Sequence, residues 1–110
     1  MTMESWFKHT IKRIINIDIE PLIAINIYSS ALIHNLSEFQ KVKPSNKIAP
    51  VLKSNAYGHG LIQVAKVLEK RSEFFIIDSY FEAQTLRNNG IKTSLLIIGY
   101  VRPEIINKSK

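Results

Sequence analysis

Apolar residues along the chain form short runs whose spacing alternates between that of strands and that of helices. Runs rich in β-branched and aromatic residues, which favour strands, occupy residues 22–28, 47–52, 74–78 and 94–99. Apolar residues at helical spacing occupy the segments between these runs. These segments are the one that follows residue 28 and ends before Pro44, residues 61–70 and residues 80–89. This order predicts consecutive βα units, beginning at residues 47, 74 and 94, and therefore an α/β fold with a parallel sheet.

Particular residues refine the predicted ends and faces of these elements. Ser29 or Ser30 suits the N-terminal cap of the first helix, and Pro44 closes that helix. Pro50 removes a ladder donor from the strand over residues 47–52, which indicates an edge-like or irregular position. The apolar face of the first helix is predicted to comprise Leu32, Leu36 and Phe39.

The segment over residues 4–16 predicts a further, amphipathic helix. Its apolar residues share one face at helical spacing: Trp6, Phe7, Ile11, Ile14 and Ile15. Such a stripe fits a helix on a membrane surface, or a helix that packs on its own protein or on a partner subunit. We favour packing, because a stripe of this kind more often covers a protein core.

Composition narrows the classes of function. The chain has 110 residues, which fits one small domain, and its hydrophobic content of 45% is ordinary for a globular protein. The absence of cysteine excludes disulfides, thiolate catalysis and cysteine–zinc sites. No apolar stretch approaches the roughly 18 residues of a membrane span, and cations interrupt the N-terminal apolar residues. We therefore expect no membrane span, no signal peptide and a cytoplasmic location.

The net charge of +6 is concentrated in residues 41–71, where seven lysine and arginine residues are opposed by Glu69 alone. Such a region favours anions, for example a phosphorylated cofactor, or is an ordinary solvated surface. Nucleic-acid binding is not expected, because the chain has no arginine-rich run with interleaved aromatic residues.

The strongest chemical signal directly follows the predicted strand over residues 47–52, in the run Lys53-Ser54-Asn55-Ala56-Tyr57-Gly58-His59-Gly60. A lysine thus stands where a strand ends and a glycine-rich turn begins, which is where α/β folds gather ligands and catalytic groups. A partly desolvated lysine amine loses its proton readily and can form a Schiff base with an aldehyde.

This run resembles the cofactor-lysine motif of the alanine racemase family, whose usual form is Lys-Ala-Asn-Ala-Tyr-Gly-His-Gly. One residue departs from that form, Ser54 in place of alanine. The flanks are similar too, since residues 24–36 resemble the family's preceding strand and helix and residues 78–92 its following strand and helix. The resemblance spans residues 24–99.

The resemblance implies a partial (β/α)8 TIM barrel with about three N-terminal βα units. The amphipathic helix, which lies outside the resemblance, would precede them. Residues 1–20 would form an N-terminal extension. Residues 21–110 would be the N-terminal portion of a barrel domain that binds pyridoxal 5'-phosphate, with the family's C-terminal domain absent.

The resemblance also implies the cofactor, pyridoxal 5'-phosphate, and two site residues. Lys53 would be the catalytic lysine, which holds the cofactor and acts as a base once substrate has released it. Tyr57 would bind the cofactor phosphate. The competing interpretation of Lys53 is an ordinary surface lysine, and that of Tyr57 is a tyrosine that packs on the protein. His59 is interpreted as structural, and no metal site is expected, because His9 and His34 lack ligand spacing.

The implied function is interconversion of L- and D-alanine, which supplies D-alanine for peptidoglycan, by an enzyme that is a homodimer in this family. Its second base and its pyridine-nitrogen arginine would follow residue 110, so we expect an N-terminal fragment that is inactive alone. Two other classes stay open. One is a non-catalytic pyridoxal-phosphate-binding protein, and the other is an interaction subunit that completes its barrel with another chain.

Overall fold

The computed structural model describes residues 22–108 of the chain. The amphipathic helix predicted over residues 4–16 lies outside these described residues. Within them, no helix is both long and apolar enough to cross a bilayer.

A parallel sheet of two strands forms the centre of the described structure. β1 spans Phe74–Ile77 and β2 spans Ser94–Ile97, in a register that pairs Phe74 with Ser94. Both strands lie inside predicted runs, and a helix connects them. The predicted α/β class with a parallel sheet is therefore confirmed.

The strand predicted over residues 47–52 is reduced to one parallel bridge, between Val51 and Ile76. Ile76 donates its N–H to the Pro50 carbonyl over 2.9 Å and accepts from the Leu52 N–H over 2.7 Å. The neighbouring bond of a parallel ladder would need an N–H on Pro50, which proline lacks. The irregular position predicted from Pro50 is thus confirmed, and the segment still lies beside β1.

Right-handed helices flank these extended segments along the chain. They are α1 over Ser29–Val42, α2 over Leu61–Leu68, α3 over Tyr80–Asn88 and α4 over Pro103–Lys108. A 3-10 turn over Glu69–Arg71 follows α2. The helices predicted before Pro44, over residues 61–70 and over residues 80–89 are confirmed, because their apolar spacing matches faces that pack on the core.

One face of the sheet packs against α2 and α3 and forms the core. Its centre consists of side chains with almost no exposed surface, namely Phe75, Ile77, Leu86 and Ile91. Leu52, Ala65 and Leu68 extend this core toward α1 through Leu36. The opposite face is partly open to solvent, since Val51, Leu96 and Ile98 expose 41%, 49% and 53% of their surface. The sheet therefore has two apolar faces, of which the helices cover one.

The prediction of a strand over residues 22–28 is wrong, because no strand pairing among the described residues includes this segment. Ile23 and Ile25 are 82% and 68% exposed. β-branched residues favour strands when they fit a half-buried pleated surface, and these residues have no such surface to pack on.

Two details of α1 also differ from prediction. The helix begins at Ser29 itself, so Tyr28 is the N-cap, and its side chain makes no capping bond. The Tyr28 carbonyl accepts from Ala31 and Leu32 instead. Phe39 is 68% exposed, because the contact of α1 with the core is made by Leu36 and Leu32.

Candidate active site

The candidate site lies at the carboxyl edge of the sheet, where three extended segments end side by side. Lys53 follows the segment that bridges to β1, Asp78 follows β1, and Gly99 lies beyond β2. The Gly99 N–H donates to the Asp78 carbonyl over 2.9 Å. A Cβ on Gly99 would lie 2.1 Å from that oxygen, so only glycine permits this close approach. This edge is where parallel α/β sheets carry their ligand sites.

The backbone after Leu52 forms one helical turn, Lys53–Tyr57, that is left-handed. Ser54, Asn55, Ala56 and Tyr57 have φ of 54°, 57°, 51° and 53°. For L-residues this conformation costs roughly 1–2 kcal/mol each, so the surroundings must stabilise the turn. Such local strain is typical of functional sites. We refer to Lys53–Tyr57 as the lysine turn.

Asn55 holds the lysine turn to the start of α2. Its side-chain Oδ1 accepts from the Leu61 N–H over 2.8 Å, and its carbonyl accepts from the Gly60 N–H over 3.0 Å. Asparagine tolerates the left-handed region better than most residues. Asn55 therefore supports the lysine turn through both its side chain and its backbone.

His59 and Gly58 close the other side of the lysine turn. The His59 ring Nδ1 lies 2.9 Å from the Ala56 carbonyl oxygen, which binds the ring to the backbone of the turn. Gly58 has φ of 86° and ends the turn. This contact agrees with the structural role interpreted for His59.

The two predicted site residues, Lys53 and Tyr57, stand at the two ends of the lysine turn. Lys53 is half-buried, and Tyr57 is 61% exposed. Within residues 22–108, the Lys53 side chain makes no hydrogen bond and no ion pair. Its amine is thus held at the carboxyl edge and left available to a ligand.

The other cations of residues 41–71 have protein partners or stand in solvent. Lys47 pairs with Glu73, and Lys41 pairs with Glu38 over 2.7 Å. Their exposed side chains are typical of a solvated surface, where such pairs contribute little. No group of histidine, cysteine, aspartate or glutamate side chains suited to a metal ion occurs in the described part of the chain.

Sequence reasoning missed Glu82, which contacts the lysine turn from α3. Its Oε1 lies 3.5 Å from the Asn55 N–H nitrogen, and its Oε2 accepts from the Asp78 N–H over 2.8 Å. The available signal was the spacing of Ser79 and Glu82, which is that of a capping box. That signal predicts a local cap, and it carries no information about the contact with Asn55.

A family model described as "Alanine racemase, N-terminal domain" matches residues 27–109. Among curated relatives, the alanine racemase of Staphylococcus saprophyticus is 37% identical over 77% of this chain and 22% of that protein. Alanine racemase 1 of Caldanaerobacter subterraneus is 44% identical over 72% of this chain and 21% of that protein. The chain therefore spans about a fifth of the length of these relatives.

Solved structures of alanine racemases also match this chain. The alanine racemase of Clostridium difficile 630 superposes with a TM-score of 0.67 and 35% identity, over 73% of this chain and 22% of that chain. That of Oenococcus oeni superposes with a TM-score of 0.61 and 32% identity, over 64% of this chain and 20% of that chain.

Proposed function

The chain belongs to the alanine racemase family, and from that premise we propose that it supplies the cofactor-holding part of a pyridoxal-phosphate-dependent alanine racemase. Lys53 would be the residue that holds the cofactor, and Tyr57 would bind its phosphate. The observation that carries this proposal is the half-buried, unpaired Lys53 on a strained turn at the carboxyl edge of a parallel sheet.

The residues present fit this cofactor chemically. A lysine amine reacts with the aldehyde of pyridoxal phosphate, and Lys53 has no competing partner among the described residues. The phenol of Tyr57 is exposed on the same turn and can donate a hydrogen bond to a phosphate oxygen.

When bound, pyridoxal phosphate supplies the electron sink that makes the α-proton of an amino acid removable. For one enantiomer the Lys53 Nζ would take that proton from one face of the substrate, and for the other enantiomer it would deliver a proton to that face, while a second base acts on the opposite face. The lysine turn would orient this amine. No described residue is nominated as the base for the opposite face.

We propose further that residues 21–110 form the first βα units of a (β/α)8 barrel, with residues 1–20 as an extension. The partly open sheet face, with Val51, Leu96 and Ile98, supports this proposal. In a barrel this face would be the interior, filled by side chains from other strands. The substrate would be alanine, the setting cytoplasmic, and the complete enzyme a homodimer that supplies D-alanine for peptidoglycan.

A chimera tests the proposed activity most directly. In it, residues 27–109 of this chain replace the matching segment of the Clostridium difficile alanine racemase. We expect the chimera to form D-alanine from L-alanine when pyridoxal phosphate is present. Its Lys53→Ala variant should form none, and a matched Lys66→Ala variant, which alters an exposed lysine on α2, should keep the activity.

Two outcomes would count against the proposal. A folded chimera that binds pyridoxal phosphate on Lys53 but forms no D-alanine would favour a non-catalytic cofactor-binding protein. Racemisation that survives Lys53→Ala would exclude Lys53 as the catalytic lysine.

A further inference from the structure

We propose that Glu82 is a positioning residue whose carboxylate fixes the lysine turn, and with it Lys53, against the carboxyl end of β1. The inference rests on the proposed function, because the turn matters as the carrier of the cofactor lysine. It assigns a role to a residue of α3 that is separated from the turn by more than twenty residues of sequence.

The Glu82 carboxylate contacts the protein at two backbone positions on different segments. Its Oε2 accepts from the Asp78 N–H over 2.8 Å, directly after β1. Its Oε1 accepts from the Asn55 N–H over 3.5 Å, inside the lysine turn. The carboxylate of Glu82, a residue of intermediate burial, thus links the end of β1 to the segment that bears Lys53.

The Asn55 N–H has no acceptor within the lysine turn itself. The first N–H groups of any helical turn lack partners within the turn, and Asn55 is the third residue of Lys53–Tyr57. The next N–H, on Ala56, already reaches the Leu52 carbonyl over 2.7 Å. Without Glu82, the Asn55 N–H would have no acceptor among the described residues, in a turn whose backbone is already strained.

The same residue also belongs to the cap of α3 through its backbone, and the two roles can be separated. The Glu82 N–H donates to the Ser79 hydroxyl over 3.2 Å, which caps the helix through the Glu82 backbone. Ser79→Ala therefore removes the cap and leaves the carboxylate in place. Glu82→Gln leaves the backbone cap and removes one of two acceptor oxygens, because an amide turns an NH2 toward the second donor.

Amide hydrogen exchange of the cofactor-free chain tests the contact. We expect Glu82→Gln to accelerate exchange at Asn55 about ten-fold, the effect of losing a hydrogen bond to a charged group. Ser79→Ala should lower the unfolding midpoint without a specific change at Asn55. Glu69→Gln is a matched control, because the Glu69 carboxylate also accepts a remote backbone N–H, that of Lys92 over 2.6 Å. It should accelerate exchange at Lys92 and leave Asn55 unchanged.

Titration with pyridoxal phosphate tests the consequence for Lys53. After borohydride reduction and peptide mapping, we expect Glu82→Gln to require about ten-fold more cofactor than the unmodified chain for equal labelling of Lys53. Glu69→Gln should label as the unmodified chain does. If Glu82→Gln does not fold, Glu82→Asp takes its place, since a carboxylate one methylene shorter cannot keep both contacts.

The outcomes separate this inference from the proposed function. Unchanged Asn55 exchange in a folded Glu82 variant overturns the positioning role, whatever Lys53 binds. Faster exchange with unchanged labelling also overturns it, because the turn would then not depend on Glu82 to present the lysine. If the unmodified chain takes no label at Lys53, the proposed function fails, and the exchange data alone decide whether Glu82 holds the turn.

Discussion

At the scale of the residue, the site depends on backbone conformations that most side chains avoid. Ser54, Asn55, Ala56 and Tyr57 all have positive φ, and of these only asparagine is favoured in that region. The motif identified Lys53 and Tyr57 as candidates, and their roles stay a prediction. It could not indicate the left-handed turn, because serine, alanine and tyrosine carry no local preference for it. The contact from Glu82 was also hidden, since it joins residues far apart in sequence.

Replacing Ser54 by glycine tests the strain in the lysine turn. Ser54 is exposed and has φ of 54°, so Ser54→Gly relieves a steric cost and loses little packing. We expect the free energy of unfolding to rise by about 1 kcal/mol, measured by urea denaturation. The matched control is Ser37→Gly, at an exposed position of the right-handed helix α1, which should lower it by about 0.5 kcal/mol. A loss of stability in Ser54→Gly would contradict the assigned conformation.

At the scale of the element, apolar periodicity predicted the helices well and the strands less well. Helical stripes such as that of α2 are fixed by local spacing, and α2 buries Leu61, Val64, Ala65 and Leu68. A strand depends in addition on a neighbour that sequence spacing does not reveal. Residues 22–28 have strand composition and no strand partner among the described residues, while residues 47–52 keep one bridge because Pro50 lacks an N–H.

Two substitutions on α3 test the core that supports the sheet. Leu86 is completely buried, and Leu86→Ala should cost about 2–5 kcal/mol by leaving a cavity. Phe81 lies on the same helix and is 75% exposed, so Phe81→Ala should change the free energy of unfolding by less than about 0.5 kcal/mol. Urea denaturation measures both. Equal effects of the two substitutions would show that α3 packs by a different face.

At the scale of the whole molecule, the sheet has one face covered by helices and one partly open to solvent. Phe75 and Ile77 are fully buried on the covered face, while Leu96 and Ile98 are about half exposed on the other. The sequence of these strands consists of continuous apolar runs, which are typical of parallel sheets covered on both sides. It could not reveal which described residues would cover each face, because that depends on contacts between distant segments.

The open face should make the 110-residue chain self-associate. We expect the double substitution Leu96→Thr and Ile98→Thr to reduce self-association in analytical ultracentrifugation while keeping the unfolding midpoint, because threonine retains strand propensity. Leu95→Thr is the matched control, since Leu95 packs against the core and its replacement should lower the midpoint. Undiminished self-association of the double variant would show that other surfaces drive it.

Lys53 is proposed to hold pyridoxal phosphate, and locating the cofactor on the chain tests this role. The purified protein is titrated with pyridoxal phosphate, reduced with borohydride, digested and mapped by mass spectrometry. We predict a saturable label on Lys53 that disappears in Lys53→Ala and persists in Lys47→Ala, whose lysine is paired with Glu73. A label spread over the exposed lysines, with no preference for Lys53, would contradict the claim.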